Sequence, residues 1–263
     1  MRYFNSRNRA ILREMVSTDF KIRYQGSVLG YLWSLLKPLF LFTILYVVFT
    51  FIIPLGKDIP HFAVYLIIGV VLWNFFSEAT TIGAGSVVAK GDLMRKISIP
   101  RYLVVMASSL SALINLGLSL IVVFIFALFN GIVPSLQWLL IIPIALELFV
   151  FALGVSFFLS AAFVKYRDIT YIWEVVLQAG FYASAIIYPL QKVPAEYHKW
   201  FFLNPMVQIM QDARHAIATD QSITIWQTAG LPYTLIPFAI IASIAVIGWV
   251  YFKKKSKFFA EDI

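Results

Sequence analysis

Long apolar runs alternate with short charged clusters along this chain. Nothing charged appears from position 38 to 56, or from 102 to 146. A helix that crosses the hydrocarbon core needs about 20 apolar residues. The first run therefore holds one span. The second is too long for one helix, and the Gly and Pro of 130–135 (NGIVPS) mark a turn that splits it in two. The pattern predicts six spans, near 31–54, 62–88, 102–129, 136–163, 169–188 and 231–252, with Pro54, Gly56 and Pro189 as stops.

Two further segments are amphipathic. Over 5–23, Ile11, Leu12, Met15, Val16 and Phe20 recur at helical spacing, with Arg7, Arg9, Arg13, Glu14 and Lys21 elsewhere around the axis. That pattern predicts a helix lying in the membrane surface, a solvated basic tail being the alternative. Tyr24, Tyr31 and Trp33 follow where amphipathic rings sit at a headgroup layer, and Lys37 can snorkel back to it. Between spans five and six, about 190–230, Pro194 opens a short helix through Trp200, Phe201, Phe202 and Leu203, and Asn204-Pro205 breaks it. A second helix then carries Met206, Ile209, Met210, Ala213 and Ile217 on one face and Gln208, Gln211 and Asp212 on the other. Neither piece can span, so a re-entrant outer hairpin over 194–218 is expected, with a surface-lying loop as the alternative. Such breaks survive at depth only under a cover of protein or in a water-filled cavity.

Composition agrees with this class. The 263 residues are 61% hydrophobic and 13% charged, against roughly 25% charged in soluble domains, and the mean hydropathy is +0.84. The net charge of +8 is split among loops rather than gathered on one face, which argues against nucleic acid as a partner. Of 21 Lys and Arg, 17 fall in the N-terminal segment to Lys37, the 90–101 loop, Lys165 with Arg167, and the 253–257 cluster. The positive-inside rule then predicts cytoplasmic termini in a multi-pass membrane protein. There is no cysteine, hence no disulfide framework. No cleavable signal peptide is apparent in the first twenty residues.

Candidate chemistry lies in polar stripes on the spans. Asn74, Ser77, Glu78, Thr81 and Gly85 share a face of span two, and Ser108, Ser111, Ala112, Asn115 and Ser119 a face of span three. Small and hydrogen-bonding side chains glue helices together in lipid, so both read first as packing faces. Span five carries Tyr171, Glu174, Gln178 and Tyr182 on one line, and span one carries Phe42, Tyr46 and Phe49. Aromatic rings with a carboxylate and an amide suit stacking on sugars and hydrogen bonding to hydroxyls, with helix packing or lipid contact as the alternative. Glu78 and Glu147 are the deep carboxylates, and such groups are functional candidates by default. His61, His198 and His215 are too scattered for a metal set. No G-x-x-x-x-G-K-[ST] phosphate loop occurs, so any ATP-driven activity needs an ATPase on another polypeptide.

The order and spacing of several fragments resemble the membrane subunits of ABC-2 type polysaccharide and polyol-phosphate exporters. They are DFKIRY at 19–24 with Ser27, Leu29-Gly30, Trp33 and Pro38; Gly69, Trp73 and Phe75-Phe76; GDLMRK at 91–96 before Pro100; VKYRD at 164–168; IYP at 187–189 with Val193-Pro194; and LNPM at 203–206. Within that family the chain is similar to rhamnose-polysaccharide, teichoic-acid and O-antigen exporters. The resemblance implies one all-α transmembrane domain over 1–263, a homodimer bound to two nucleotide-binding ATPase subunits that use ATP and Mg, and no catalysis or cofactor in this chain itself. It implies a glycan on a polyprenyl-pyrophosphate carrier moved from the cytoplasmic to the outer face. Phe42, Tyr46, Phe49, Tyr171, Glu174, Gln178 and Tyr182 would then line a channel at the dimer axis. Arg7, Arg9, Arg13, Lys21 and Arg23 would meet the carrier pyrophosphate. Asp92, Arg95, Lys96, Lys165, Arg167 and Asp168 would couple to the ATPase. Trp200, Phe201, Phe202, Asn204, Pro205 and Arg214 would belong to an outer gate. The rival readings are a proton-coupled carrier using Glu78 and Glu147, and a membrane transferase, for which the scattered histidines supply no catalytic set.

Overall fold

The computed structural model describes residues 5–24, 26, 27, 29, 30, 32–53, 57–96, 99–228 and 230–259, without the side chains of Phe20, Arg23 and Tyr24. The expected roles of Arg23, Tyr24, Tyr31, Pro54 and Gly56 lie outside the described residues or side chains. The described residues form helices and no strand: α1 (Ser6–Tyr24), α2 (Leu32–Val47), α3 (Phe62–Ala89), α4 (Gly91–Lys96), α5 (Arg101–Phe129), α6 (Ile141–Lys165), α7 (Ile169–Ala183), α8 (Ala195–Phe201), α9 (Pro205–Ile217), α10 (Ile225–Thr228) and α11 (Ile236–Lys255). A wider π turn, Val48–Ile52, extends α2, and a 3-10 turn, Leu136–Leu140, leads into α6.

Among the described residues, five helices are long and apolar enough to cross a membrane: Leu32–Ile52, Phe62–Ala89, Arg101–Phe129, Leu136–Lys165 and Tyr233–Lys255. The predicted fifth span, 169–188, is helical only over the 15 residues of α7. At 1.5 Å per residue such a helix falls short of the ~30 Å core. Its apolar run does continue through Ile186 and Ile187, but the backbone there serves another purpose.

The bundle is built around α3, which packs against α2, α5, α6, α7 and α9. Its first half, 62–73, is hydrophobic on every side, and Val64, Tyr65, Leu66 and Ile68 are fully buried, as befits a helix enclosed by others. Pairings fix the directions. Phe76 stacks on Phe151 and Gly83 abuts Ser156, so α3 and α6 run parallel. Gly154 meets Gly248 and Phe157 meets Phe252, so α11 runs the same way. Asn115 reaches back to Glu78, so α5 runs opposite. The C-terminal ends of α3, α6 and α11 and the start of α5 therefore share one end of the bundle. Without a hydrophobic drive inside lipid, close backbone approach is what holds helices together. A Cβ added at Gly248 would stand 2.1 Å from the Gly154 carbonyl oxygen.

The amphipathic first helix is present, but its stripe meets protein. Ile11, Leu12, Met15 and Val16 pack on Val104 and Ala107 of α5, with Met94 of α4 and Ile99. Lys90, at the end of α3, grips both Asp19 oxygens at 2.6 and 2.7 Å.

Beyond Ala183 the chain turns through 184–189, with Ala185 at φ +51°. It forms α8, and Asn204 caps α9: its Oδ1 accepts from the Met206 N–H and its Nδ2 donates to Ser184 Oγ, while Pro205 occupies the first helical turn. The two short helices expected over 194–218 are where the pattern puts them, but the polar face of α9 does not meet water. Gln208 and Gln211 are fully buried, and so is Arg214. The Arg214 guanidinium donates from Nε to the Tyr65 carbonyl (3.0 Å), from Nη1 to Tyr65 Oη (3.0 Å), the Ala185 carbonyl (2.9 Å) and Gln211 Oε1 (3.1 Å), and from Nη2 to the Ile186 carbonyl (2.8 Å). It also stands 3.7 Å over the Tyr65 ring. The carbonyls freed where α7 stops are the ones this arginine collects. Gly69 makes room, since a Cβ there would lie 2.5 Å from Arg214 Nη2.

Two stability predictions follow from these approaches. Gly248→Ala should lower the unfolding midpoint of the detergent-solubilised protein, by an overpacking cost of about 1–3 kcal/mol; an unchanged midpoint would mean that α6 and α11 do not cross this closely. Arg214→Lys keeps the charge but supplies three donors in place of five, stranding buried carbonyls at about 1–3 kcal/mol each. Arg214→Lys and Gly69→Ala should both loosen the hairpin, measured as faster proteolysis between Ala183 and Asn204. Wild-type protease resistance in both would remove the anchoring role.

Candidate functional site

The two predicted aromatic stripes behave differently. On α7, Tyr171, Glu174, Gln178 and Tyr182 are all exposed. The opposite face holds the helix to the bundle: Leu177 is buried, Trp173 Nε1 donates to Thr80 Oγ1 at 3.0 Å, and Gly180 admits the Trp73 ring. The α7 stripe thus forms an uncovered polar-aromatic face. On α2, Phe42 is buried, stacked 5.7 Å from Tyr46 and edge-on to Phe126 at 5.5 Å, while Tyr46 and Phe49 are half-buried. Helix α2 leans on α3 and α5, and α7 on α3 and α6. A single chain carries the two stripes on separate flanks of α3 and does not join them into one lining.

The stripes on spans two and three do meet. Asn115 Nδ2 donates to Glu78 Oε1 at 2.8 Å, which ties α5 to α3. Beside this bond, α2, α3 and α5 line a half-open cavity of about 500 Å³ whose wall includes Trp33, Lys37, Asn74, Glu78, Thr81 and Asn115. The sequence pattern located both stripes and read them first as packing faces, with Glu78 set apart as a functional candidate. The signal that distinguishes a cavity from a seam is Lys37, a third polar contribution from another helix, at a matching depth.

The second deep carboxylate sits under the hairpin. Gln208 Nε2 donates to Asp212 Oδ2 at 2.7 Å and reaches Glu147 Oε2 at 3.4 Å, so Glu147 of α6 faces the polar side of α9. Each deep carboxylate is thus held by an amide on a neighbouring helix. The hairpin residues occupy varied settings. Trp200 is exposed and Phe201 half-buried, whereas Phe202 is buried with Leu190, Val207 and Ile225. His198 Nε2 lies 3.0 and 2.8 Å from the Leu190 and Val193 carbonyls, so it carries the proton and staples α8 to the preceding turn. Lys192 pairs with Asp58, joining the hairpin to the turn before α3, and this hydrogen bond and charge hold the Asp58 carboxyl below the usual carboxylate range.

At the opposite end, basic side chains crowd together. Arg7, Arg9, Arg13 and Lys21 of α1 are exposed, as are Asp92, Arg95 and Lys96 on α4 and Lys165, Arg167 and Asp168 between α6 and α7. The Arg167 guanidinium lies 5.1 Å over the Phe163 ring and the Lys165 ammonium 5.3 Å over Tyr166. Lys253 and Lys254 close α11 at this same end. The result is a broad cationic platform with two short exposed elements, suited to docking another protein or an anionic headgroup.

Comparison with known proteins agrees with this architecture. The sequence pattern of the ABC-2 type transporter family matches residues 12–218. The chain is 27% identical over 252 residues to the O-antigen export system permease protein RfbA of Klebsiella pneumoniae, covering 95% of this chain and 94% of that protein. It is 29% identical over 204 residues to the protein of the same name from Myxococcus xanthus, covering 77% and 78%. The polysialic acid transport protein KpsM of Escherichia coli is 22% identical over 207 residues, covering 76% and 78%. With five helices fit to cross a membrane and a match spanning the first helix to the end of the buried hairpin, this chain is a multi-pass membrane protein of the ABC-2 type transporter family.

Proposed function

We propose that this chain is the permease subunit of an ATP-driven exporter of a cell-surface polysaccharide. The observation that carries the reading is its nearly full-length similarity to O-antigen export permeases, together with a sequence that has no phosphate-binding loop of its own. Two copies form the working unit, each bound to a nucleotide-binding subunit that hydrolyses ATP. The basic end faces the cytoplasm, and the substrate is a glycan on a polyprenyl-pyrophosphate carrier, driven outward. The proton-coupled reading of Glu78 and Glu147 is not favoured, since the relatives are export permeases.

The parts divide the work. A hydrated polymer cannot cross about 30 Å of hydrocarbon unaided, and unpaired polar groups there cost several kcal/mol each. The exposed face of α7, with Tyr171, Glu174, Gln178 and Tyr182, supplies rings and hydrogen-bonding groups in place of water. Across a dimer axis it meets α2 of the second copy with Phe42, Tyr46 and Phe49, and α7 with the segment after it serves as the sixth crossing. Arg7, Arg9, Arg13, Lys21 and Arg23 attract the pyrophosphate. Asp92, Arg95 and Lys96 on α4, and Lys165, Arg167 and Asp168 before α7, transmit the ATPase stroke. The hairpin that holds Trp200, Phe201, Phe202, Asn204, Pro205 and Arg214 closes the outer end.

The direct test is reconstitution of the chain in vesicles with and without its nucleotide-binding partner. Export of lipid-linked polymer should require both the partner and ATP, and full-rate movement by the chain alone would overturn the reading. In the same vesicles, Arg95→Glu with Lys96→Glu should abolish the ATPase stimulation while leaving the folded chain intact; normal stimulation would remove α4 from coupling. Because the native chain has no cysteine, single cysteines placed along α2 and α7 report proximity cleanly. Crosslinks between two copies should form at positions 46 or 182, and failure along both helices would rule out the axial arrangement.

A further inference from the structure

The cavity among α2, α3 and α5 is not part of the aromatic stripes. At ~100° per residue, Trp33 and Lys37 lie well around the α2 axis from Phe42, Tyr46 and Phe49. They face the polar stripes of α3 and α5 instead. Two atoms in this region are buried without a hydrogen-bond partner, Asn74 Nδ2 and Asn115 Oδ1. One is a donor and the other an acceptor. The Asn115 side chain is itself only 5% exposed, and its amide is held in orientation by the bond from Nδ2 to Glu78. Both atoms are closed off from the open space, but they belong to a wall that keeps polar side chains at depth, a costly choice inside a membrane bundle unless they serve a polar guest.

The chemistry of the wall narrows the guest. Among apolar side chains such as Val71 and Phe75, it offers the hydroxyls of Ser77, Thr81 and Ser119, the carboxylate of Glu78, the ammonium of Lys37 and the indole of Trp33. A simple anion would be repelled by Glu78, and a simple cation by Lys37. A sugar ring satisfies the whole set, because each hydroxyl both donates and accepts and its C–H face stacks on an aromatic ring. The volume, about 500 Å³, falls within the roughly 300–1,000 Å³ of small-molecule sites. We propose that the α2–α3–α5 cavity is a carbohydrate subsite that holds a short, hydroxyl-rich segment of the glycan within each subunit, off the dimer axis. The proposal rests on the export reading above and adds a binding step ahead of the axial path.

The absence of native cysteine allows a direct test in the full transporter with its ATPase partner, in lipid nanodiscs. Ser77→Cys and Thr81→Cys report from the cavity, and Ser135→Cys reports from the exposed turn between α5 and α6. The probe is the oligosaccharide released by mild acid from the surface polymer of cells that encode this chain. At ten times its dissociation constant it should slow modification of the two cavity cysteines by a charged thiol reagent about tenfold, with no effect at position 135. Asn74→Leu and Glu78→Gln should each weaken that protection in complexes that still assemble with the ATPase partner, checked by gel filtration. Equal modification rates with and without saccharide would overturn the proposal, as would protection by inorganic pyrophosphate but not by saccharide. Such a failure, beside intact ATP-dependent export, would remove the subsite and leave the export reading standing; loss of ATP-dependent export in the native complex would remove the latter.

Discussion

The guanidinium of Arg214 is the interaction on which this architecture depends. A fully buried charge is costly unless it is hydrogen-bonded on all sides, and here it finds five acceptors on three separate parts of the chain. Backbone without regular hydrogen bonding is tolerated inside a membrane protein only where other protein covers it. Arg214 supplies that cover for Ala185 and Ile186, and this lets α7 stop early. It demands a glycine at 69 and a tyrosine at 65, which is one reason the first turns of α3 are enclosed. A single cation thus connects the central helix, the short α7 and the hairpin.

Two consequences bear on transport. Because α7 ends at Ala183, its outward face presents a short strip of rings and polar groups, and the chain beyond it is free to build a hairpin at the end of the bundle opposite the basic platform. The Lys192–Asp58 pair and the His198 staple give that hairpin a second set of ties. At the other end, α1 is fixed to α5 through its apolar stripe and to α3 through Lys90 and Asp19. The arginines of α1 therefore stand on a seated helix, and the exposed α4 lies beside it.

Inside the bundle the small residues and the amides have distinct tasks. Gly83, Gly154 and Gly248 let backbones approach, and this close packing replaces the hydrophobic drive that lipid removes. Asn115 and Gln208 each hold a deep carboxylate, Glu78 and Glu147 respectively. In the first case the neighbouring space stays open and polar. In the second the space is filled by α9.

Five of the six expected spans, the amphipathic first helix, the two short helices of 194–218 and the clustering of positive charge were legible along the sequence, because each depends on the local sum of apolarity and charge over one or two dozen residues. The end of α7 was not: Ser184 to Tyr188 reads as a continuation of the apolar run, and only a side chain from α9 turns it aside. Nor was the burial of Gln208 and Gln211, which periodicity assigned to the outer face, or the meeting of Asn115 with Glu78 beside Lys37. Tyr65 and Gln211 are 146 positions apart and Tyr65 and Arg214 are 149 apart. Apolar patterning is summed locally, so the sequence by itself determined what lies in the membrane. Hydrogen-bond partners this distant are chosen only when the helices pack, so the tertiary structure alone decided where the polar groups point.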